Sequence, residues 1–417
     1  MSISADRDIV RRLASRLAAF AVQPQQREKL EAWKSLNALR PQRPMLWITE
    51  VPWGEFENQV EALRLQSETE PCRSIERELR HRLFTACSLT CDEVVDGIWW
   101  LPLQINGANF GVEIHEQQIL QGDSYIQSHH YEPVMKDFDD IAKIRMPDVS
   151  YDEAATLARK SFLEELFGGI LPVRLHGPRQ HFFPAWDDVV RWTGVTEALT
   201  DLLARPEFLH ALMRRLTDSF LERMTQLEER HLLGEPHPLN RVGSGAAGFT
   251  DELPQPGSDP AHLRTIDQWG GATAQIFGEV SPAMHAEFAL KYEMEVMARC
   301  GLNYYGCCEP LHNKMHLMDS VPRLRKISIS AWCDVEKAAS RAKRRYVFSH
   351  KPTPACFAED QFDAARAEQE LRQRLERSGN MPCEIIMKDI STVRGDVRRL
   401  IDWCQMAHRL VRNLPAR

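Results

Sequence analysis

The sequence of 417 residues is 43% hydrophobic and 27% charged, which supplies a large core and excludes a disordered chain. Its formal net charge of -7 argues against a dedicated nucleic-acid binder, because phosphate contacts need a basic footprint. There is no apolar run of about 18 residues, and residues 1–10 hold several charges, so neither a membrane span nor a signal peptide is expected and the expected setting is cytoplasmic.

From the amino end, residues 5–40 carry Arg, Leu, Ala, Gln and Glu at helical spacing until Pro41 and Pro44 stop the pattern. This predicts a helical extension over residues 1–42 ahead of a second unit over 43–417. Eight runs rich in β-formers then recur, at 45–49, 93–101, 171–176, 240–249, 302–305, 326–330, 346–349 and 384–388. Helical spacing appears at 196–204, 206–230, 282–299, 334–343, 361–377 and 397–410. Ser281-Pro282 supplies an N-cap and an N1 proline, and Asp334 a second N-cap. Strands alternating with helices imply a parallel sheet. Eight of them predict an α/β fold closed into a (β/α)8 TIM barrel, whose chemistry sits at the carboxyl ends of the strands. Residues 107–149 are irregular and are expected to form an insertion. The Pro- and Gly-rich stretch 234–270 reads as a long functional loop.

The run Asn303-Tyr304-Tyr305-Gly306-Cys307-Cys308-Glu309-Pro310 ends a short apolar strand with two thiols and a carboxylate in consecutive positions. Soft thiolates beside a carboxylate favour zinc. Adjacent side chains on an extended strand point to opposite faces, so a turn is needed to bring them together. The ligand set then expected is Cys307 with Glu309 or Cys308, completed from a neighbouring strand end. The structural alternative is that these cysteines are small buried hydrophobes. The ten cysteines show no small-domain disulfide spacing and are expected to stay thiols.

Polar residues ending other predicted strands are candidates for proton transfer or substrate binding. They are Glu50 and Trp53 after the first strand, His176 at the third, and Gln275 and Glu279 around Phe277. His350 and Lys351 end the seventh strand, and Lys388 and Asp389 the last. A histidine suits a ligand or general acid, although a hydrogen-bonded strand-end residue is the favoured reading of His176 and of His350 taken singly. Ammonium and carboxylate groups are seldom buried without partners, which singles out Lys351, Lys388 and Asp389. Trp53, Trp99, Trp100, Trp269 and Trp332 would wall an aromatic or methylated ligand, or simply pack the core.

The order of several short motifs resembles the uroporphyrinogen decarboxylase superfamily, over residues 43–412. Arg43-Pro44-Met45-Leu46-Trp47 is similar to its opening strand, and His176-Gly177-Pro178-Arg179 to the turn after its third strand, which implies a substrate-facing Arg179. Arg205-Pro206-Glu207-Phe208 and Ser281-Pro282 through Phe288 resemble its helix starts. The superfamily includes decarboxylases and corrinoid-linked methyltransferases. Ile48-Thr49-Glu50-Val51-Pro52-Trp53 stands in place of the Arg-Gln-Ala-Gly run of the true decarboxylases, so porphyrinogen decarboxylation is not expected. The methyltransferase branch carries His-x-Cys after the fifth strand and a further Cys after the last, which together hold zinc. Here Tyr305 replaces the His, Cys307 keeps the Cys, and Lys388-Asp389 replaces the last Cys. The resemblance implies a methyltransferase that moves a methyl group from a small O- or N-methylated compound to a corrinoid protein or a folate. It would have zinc at Cys307, Cys308 and Glu309, and His176, Tyr305, Glu309, Lys388 and Asp389 in catalytic roles. Glu50, Trp53, Arg179, Gln275, Glu279, Trp332, His350 and Lys351 would bind substrate, and a homodimer is the assembly left open. The other class of function is a metal-independent decarboxylase or lyase acting on a small acid. A non-catalytic ligand binder is the third.

Overall fold

Nine short parallel strands carry the architecture of the computed structural model, which describes residues 3–120, 127–236 and 241–414. They are β1 (Met45–Ile48), β2 (Trp99–Pro102), β3 (Val173–His176), β4 (Gln180–Phe183), β5 (Trp269–Ala272), β6 (Leu302–Tyr305), β7 (Leu324–Ile329), β8 (Val347–His350) and β9 (Cys383–Met387). Seven of them form one sheet in the order β1-β9-β8-β7-β6-β5-β4, and β2 and β3 form a separate ladder. Every neighbouring pair is parallel. From β4 to β9 each strand lies beside the next in the chain, and β1 lies beside β9, an arrangement compatible with a TIM-like barrel. Among the described residues no ladder joins β1 to β2, so the ring of hydrogen bonds is not closed. The open edge of β1 is satisfied by Asp92, whose carboxylate accepts from Leu46 N (2.8 Å) and whose N–H donates to Leu46 O (2.8 Å). Arg43 holds that carboxylate in place.

The alternation of a strand sorts the two faces. Leu46, Ile48, Tyr305, Ile327, Phe348, Ile385 and Met387 join the main core with helix residues such as Val296, Leu400 and Trp403. Met45, Trp47, Val347 and Ile386 point the other way, onto Ala247 and Phe249. That inner side is filled by a hairpin, Arg241–Val242 paired with Ala246–Ala247, where the sequence predicts the fourth barrel strand over 240–249. Residue 240 lies outside the described residues. Gly243 explains the tight fit: at φ 56, a Cβ placed there would stand 2.1 Å from the Tyr304 ring. The strand in the expected place is instead β5, which the sequence pattern hides inside a loop. The last four predicted strands are found within two residues of their expected bounds, and the run 93–101 shrinks to β2.

The predicted extension is two helices, Ile3–Ala21 and Pro24–Asn37. Val10, Leu13 and Leu17 of the first share a core with Ile75, Leu79, Trp99, Leu163 and Val173. Trp33 and Leu36 of the second reach the hairpin residues Ala247 and Phe249. The stretch 107–149, expected to be irregular, contains the hairpin His115–Leu120 with Gln127–Glu132. No helix among the described residues is long and apolar enough to cross a membrane.

Candidate active site

The turn after β6 starts at Gly306, whose φ of 95 takes the chain into the left-handed region; a Cβ there would lie 2.7 Å from Leu311 Cδ1. The turn places Cys307 and Cys308 side by side rather than on opposite faces, with their Sγ atoms 3.5 Å apart. Glu309 folds back beneath them. Its carboxylate accepts from Thr273 Oγ1 (2.9 Å), Ala274 N (3.3 Å) and Cys307 N (2.8 Å). It ties the ends of β5 and β6 together, and burial raises its pKa.

Two lysines reach this turn. Lys388 Nζ lies 3.9 Å from Cys307 Sγ and 3.1 Å from Asp389 Oδ1. Lys351 Nζ donates to Cys307 O at 3.1 Å and to Ser244 Oγ at the hairpin tip. Asp389 N in turn donates to Glu50 Oε2 at 2.6 Å. The hydrogen bond from Cys308 lowers the Cys307 thiol to about 6 against the opposing effect of burial, and Lys351 and Lys388 add to the lowering. The Cys308 thiol, as donor in that bond, is pushed up. Burial works to lower Lys388, but the facing Cys307, Asp389 and Cys308 overcome it and hold the ammonium above its ordinary range. These effects together favour the thiolate form of Cys307. The expected consequence is alkylation by iodoacetamide with a pH midpoint near 6, moving upward in Lys388→Met because a stabilising charge is removed. A midpoint unchanged by that substitution would show that Lys388 does not act on the sulfur.

Beside Cys308 is a cavity of about 350 Å3 lined by Tyr131, Asp187, Val190, Arg191, Gln275 and Ile276 among others. Gln275 Nε2 holds Asp187 Oδ1 at 2.8 Å, and burial raises the Asp187 pKa. Ser244, Thr273 and Asp187 are missed by the strand-end reading. Only Asp187 carries a sequence signal, as an acidic residue in the first turn of the helix Ala185–Thr193.

Of the predicted residues, Cys307, Cys308, Glu309, Lys351, Lys388, Asp389, Glu50 and Gln275 come together. The others do not. Tyr305 points outward, fully buried, with its hydroxyl between His285 Nε2 (2.6 Å) and Glu293 Oε2 (2.7 Å). Its neighbour Tyr304 faces inward and meets Ser244 Oγ at 3.0 Å. His350 is outward too, against Ser378 Oγ (2.8 Å) and Arg374 Nε (3.1 Å). His176 lies in the β2–β3 ladder with Nδ1 2.9 Å from Gly177 O, and Arg179 stacks over Trp100 at 4.2 Å. Trp53 stacks on His81 at 3.8 Å, and Glu279 is exposed. Trp332 lines a different cavity, of about 720 Å3, with His312 and Arg374. For Tyr305, the expected result of Tyr305→Phe is structural. Two buried groups lose their partner, which costs about 1–3 kcal/mol in unfolding free energy, while Cys307 alkylation keeps its pH midpoint.

The expected zinc set does not assemble. Among the described residues no three or more His, Cys, Asp or Glu side chains are placed to hold one metal ion. The oxygens of Glu309 are engaged by the chain itself, and the sulfurs face the Lys388 ammonium at 3.9 Å and the Asp389 carboxylate at 4.0 Å. No protein-family model matches the sequence, and no curated protein matches it. Among solved structures the chain is similar to a methyltransferase from Methanosarcina mazei, at 12% identity and a TM-score of 0.49 over 90% of this chain and 97% of that one. That identity is too low to carry chemistry from one chain to the other.

Proposed function

We propose that this protein is a methyltransferase of the uroporphyrinogen decarboxylase superfamily. On this reading its strands form a (β/α)8 barrel whose third strand is broken into β3 and β4, and its methyl-handling group is the Cys307 thiolate. The observation that carries the chemistry is the sulfur pair under a lysine, with Cys307 Sγ 3.5 Å from Cys308 Sγ and 3.9 Å from Lys388 Nζ. A thiolate stabilised in this way is a nucleophile at neutral pH. The cavity lined by its neighbour Cys308 offers an aromatic ring, apolar walls, the Asp187 carboxylate and the Arg191 guanidinium to a small methylated compound, and an N-methylated cation suits the thiolate better than a neutral ether because its nitrogen leaves as a neutral amine without a proton donor. The sulfur attacks the methyl carbon, the S–C bond forms as the C–N bond breaks, and the nitrogen leaves with the electron pair as a neutral amine. The acceptor's nucleophile then takes the methyl from sulfur and returns the thiolate, which Lys388 stabilises as the leaving group. The sequence resemblance directs the choice of acceptor to a corrinoid protein or a folate.

The test is a panel of small methylamines and methyl ethers incubated with cob(I)alamin or tetrahydrofolate. The expected result is a methylated acceptor with the wild type and none with Cys307→Ser. A second reading, a metal-independent decarboxylase, is favoured by the two ammoniums of Lys351 and Lys388, which would hold a carboxylate. Carbon dioxide release from small acids, equal in wild type and Cys307→Ser, would replace the first reading with the second.

A further inference from the structure

The structure points to a modification site at this same turn: we propose that Cys307 and Cys308 close reversibly into a vicinal disulfide when a hydroperoxide reaches them. The sulfurs are already 3.5 Å apart, so forming a bond of about 2.05 Å needs a contraction of about 1.5 Å. Cys308 is half-exposed and lines the 350 Å3 cavity, which gives the oxidant an entry. The backbone of Cys307 is anchored, with its N–H on Glu309 Oε2 and its carbonyl accepting from Ser328 Oγ (2.5 Å) and Lys351 Nζ (3.1 Å). Ring closure therefore moves Cys308, and with it one wall of the cavity.

The chemistry balances with the hydroperoxide as the named oxidant. The Cys307 thiolate attacks the peroxide oxygen and the O–O bond breaks. The sulfur is oxidised to sulfenic acid, and the leaving oxygen takes a proton as water or alcohol. Cys308 sulfur then attacks the Cys307 sulfur, the S–S bond forms, and water leaves with the Cys308 proton. Other cysteines are poorer competitors. Burial pushes Cys91 and Cys300 up to about 12, and Cys333 and Cys356 up to about 11. Cys87, which is exposed, serves as an internal control that stays alkylatable in every state.

The test treats reduced full-length protein with dilute hydrogen peroxide, then iodoacetamide, and reads peptide masses. The expected wild-type result is a 307–308 peptide lighter by two hydrogens, unalkylated at both sulfurs and restored by dithiothreitol. In Cys308→Ser, Cys307 is expected to stop at a dimedone-reactive sulfenic acid and proceed to sulfinic acid. A measurement needing no variant uses phenylarsine oxide, whose trivalent arsenic bridges two adjacent thiols and is expected to shield both from iodoacetamide. Wild type that stays alkylatable at both sulfurs after peroxide, joins either one to another cysteine, or reaches sulfinic acid as fast as the variant would overturn the proposal. The mass readout involves no methyl transfer, so it fails or succeeds independently of the proposed function.

Discussion

Lys326→Met is expected to lower the unfolding free energy by about 3–5 kcal/mol, the usual cost of leaving one charge of a buried pair uncompensated. Lys326 and Glu384 face each other at 2.8 Å with both side chains 0% exposed. They lie within β7 and β9, on the side of the sheet that faces the hairpin. Lys326 also donates to Ala247 O at 2.6 Å, and Ser349 donates to Glu384. The pair thus pins the filling hairpin to two strands at once. Burial lowers the Lys326 pKa, with Glu384 opposing. Replacing both groups with apolar residues of similar volume removes the desolvation cost along with the attraction. Lys326→Met/Glu384→Leu is accordingly expected to recover most of the loss, and urea unfolding of the wild type, both single variants and the double variant measures the coupling. Additive losses would show that the two groups are not a pair in solution.

The same inner face explains how far the sequence carried the fold. β6 through β9 are runs of β-branched, aromatic and other apolar residues between helices, and that pattern survives in any parallel sheet. β5 reads Trp269-Gly270-Gly271-Ala272, and its two glycines carry no strand signal. Arg241 through Ala247 has the apolar content of a strand, but Gly243-Ser244-Gly245 in its middle is hairpin chemistry. Weighing that turn above the composition would have separated the two elements.

The site was legible where side chains lie in the turns beyond the strands, as with Cys307, Cys308, Lys351 and Lys388. It was illegible where the two-residue alternation of a strand had to be phased. Nothing in Tyr304-Tyr305 says which ring faces inward, and His350 lies on the outer face although Lys351, one residue later, reaches the sulfur turn. His176 fails for a different reason: the chain breaks at Gly177-Pro178, where Pro178 O accepts from Gly234 N and from Gln268 Nε2 instead of continuing the ladder.

The largest functional effect is expected at Cys307. Cys307→Ser replaces a thiolate with a hydroxyl that stays protonated at neutral pH, so methyl transfer is expected to fall by roughly 10^3-fold or more in kcat/KM. Cys308→Ser keeps a hydrogen-bond donor beside the sulfur and is expected to cost about tenfold, because its hydroxyl replaces one hydrogen bond without removing the nucleophile. Lys388→Met removes the facing charge and is expected to shift the pH profile of transfer upward along with that of alkylation. Equal losses in Cys307→Ser and Cys308→Ser would mean that the pair acts only as a packing unit.

The most direct test is to find the methyl group on the sulfur. Wild-type protein is given a trideuteromethylated amine that the panel shows to be a substrate, with no acceptor present, then quenched in acid and digested. The trideuteromethyl mass is expected on the peptide holding Cys307, absent from Cys307→Ser and lost again when acceptor is added before the quench. Label that passes from donor to acceptor while Cys307 stays unmodified in the acceptor-free reaction would contradict transfer through that sulfur.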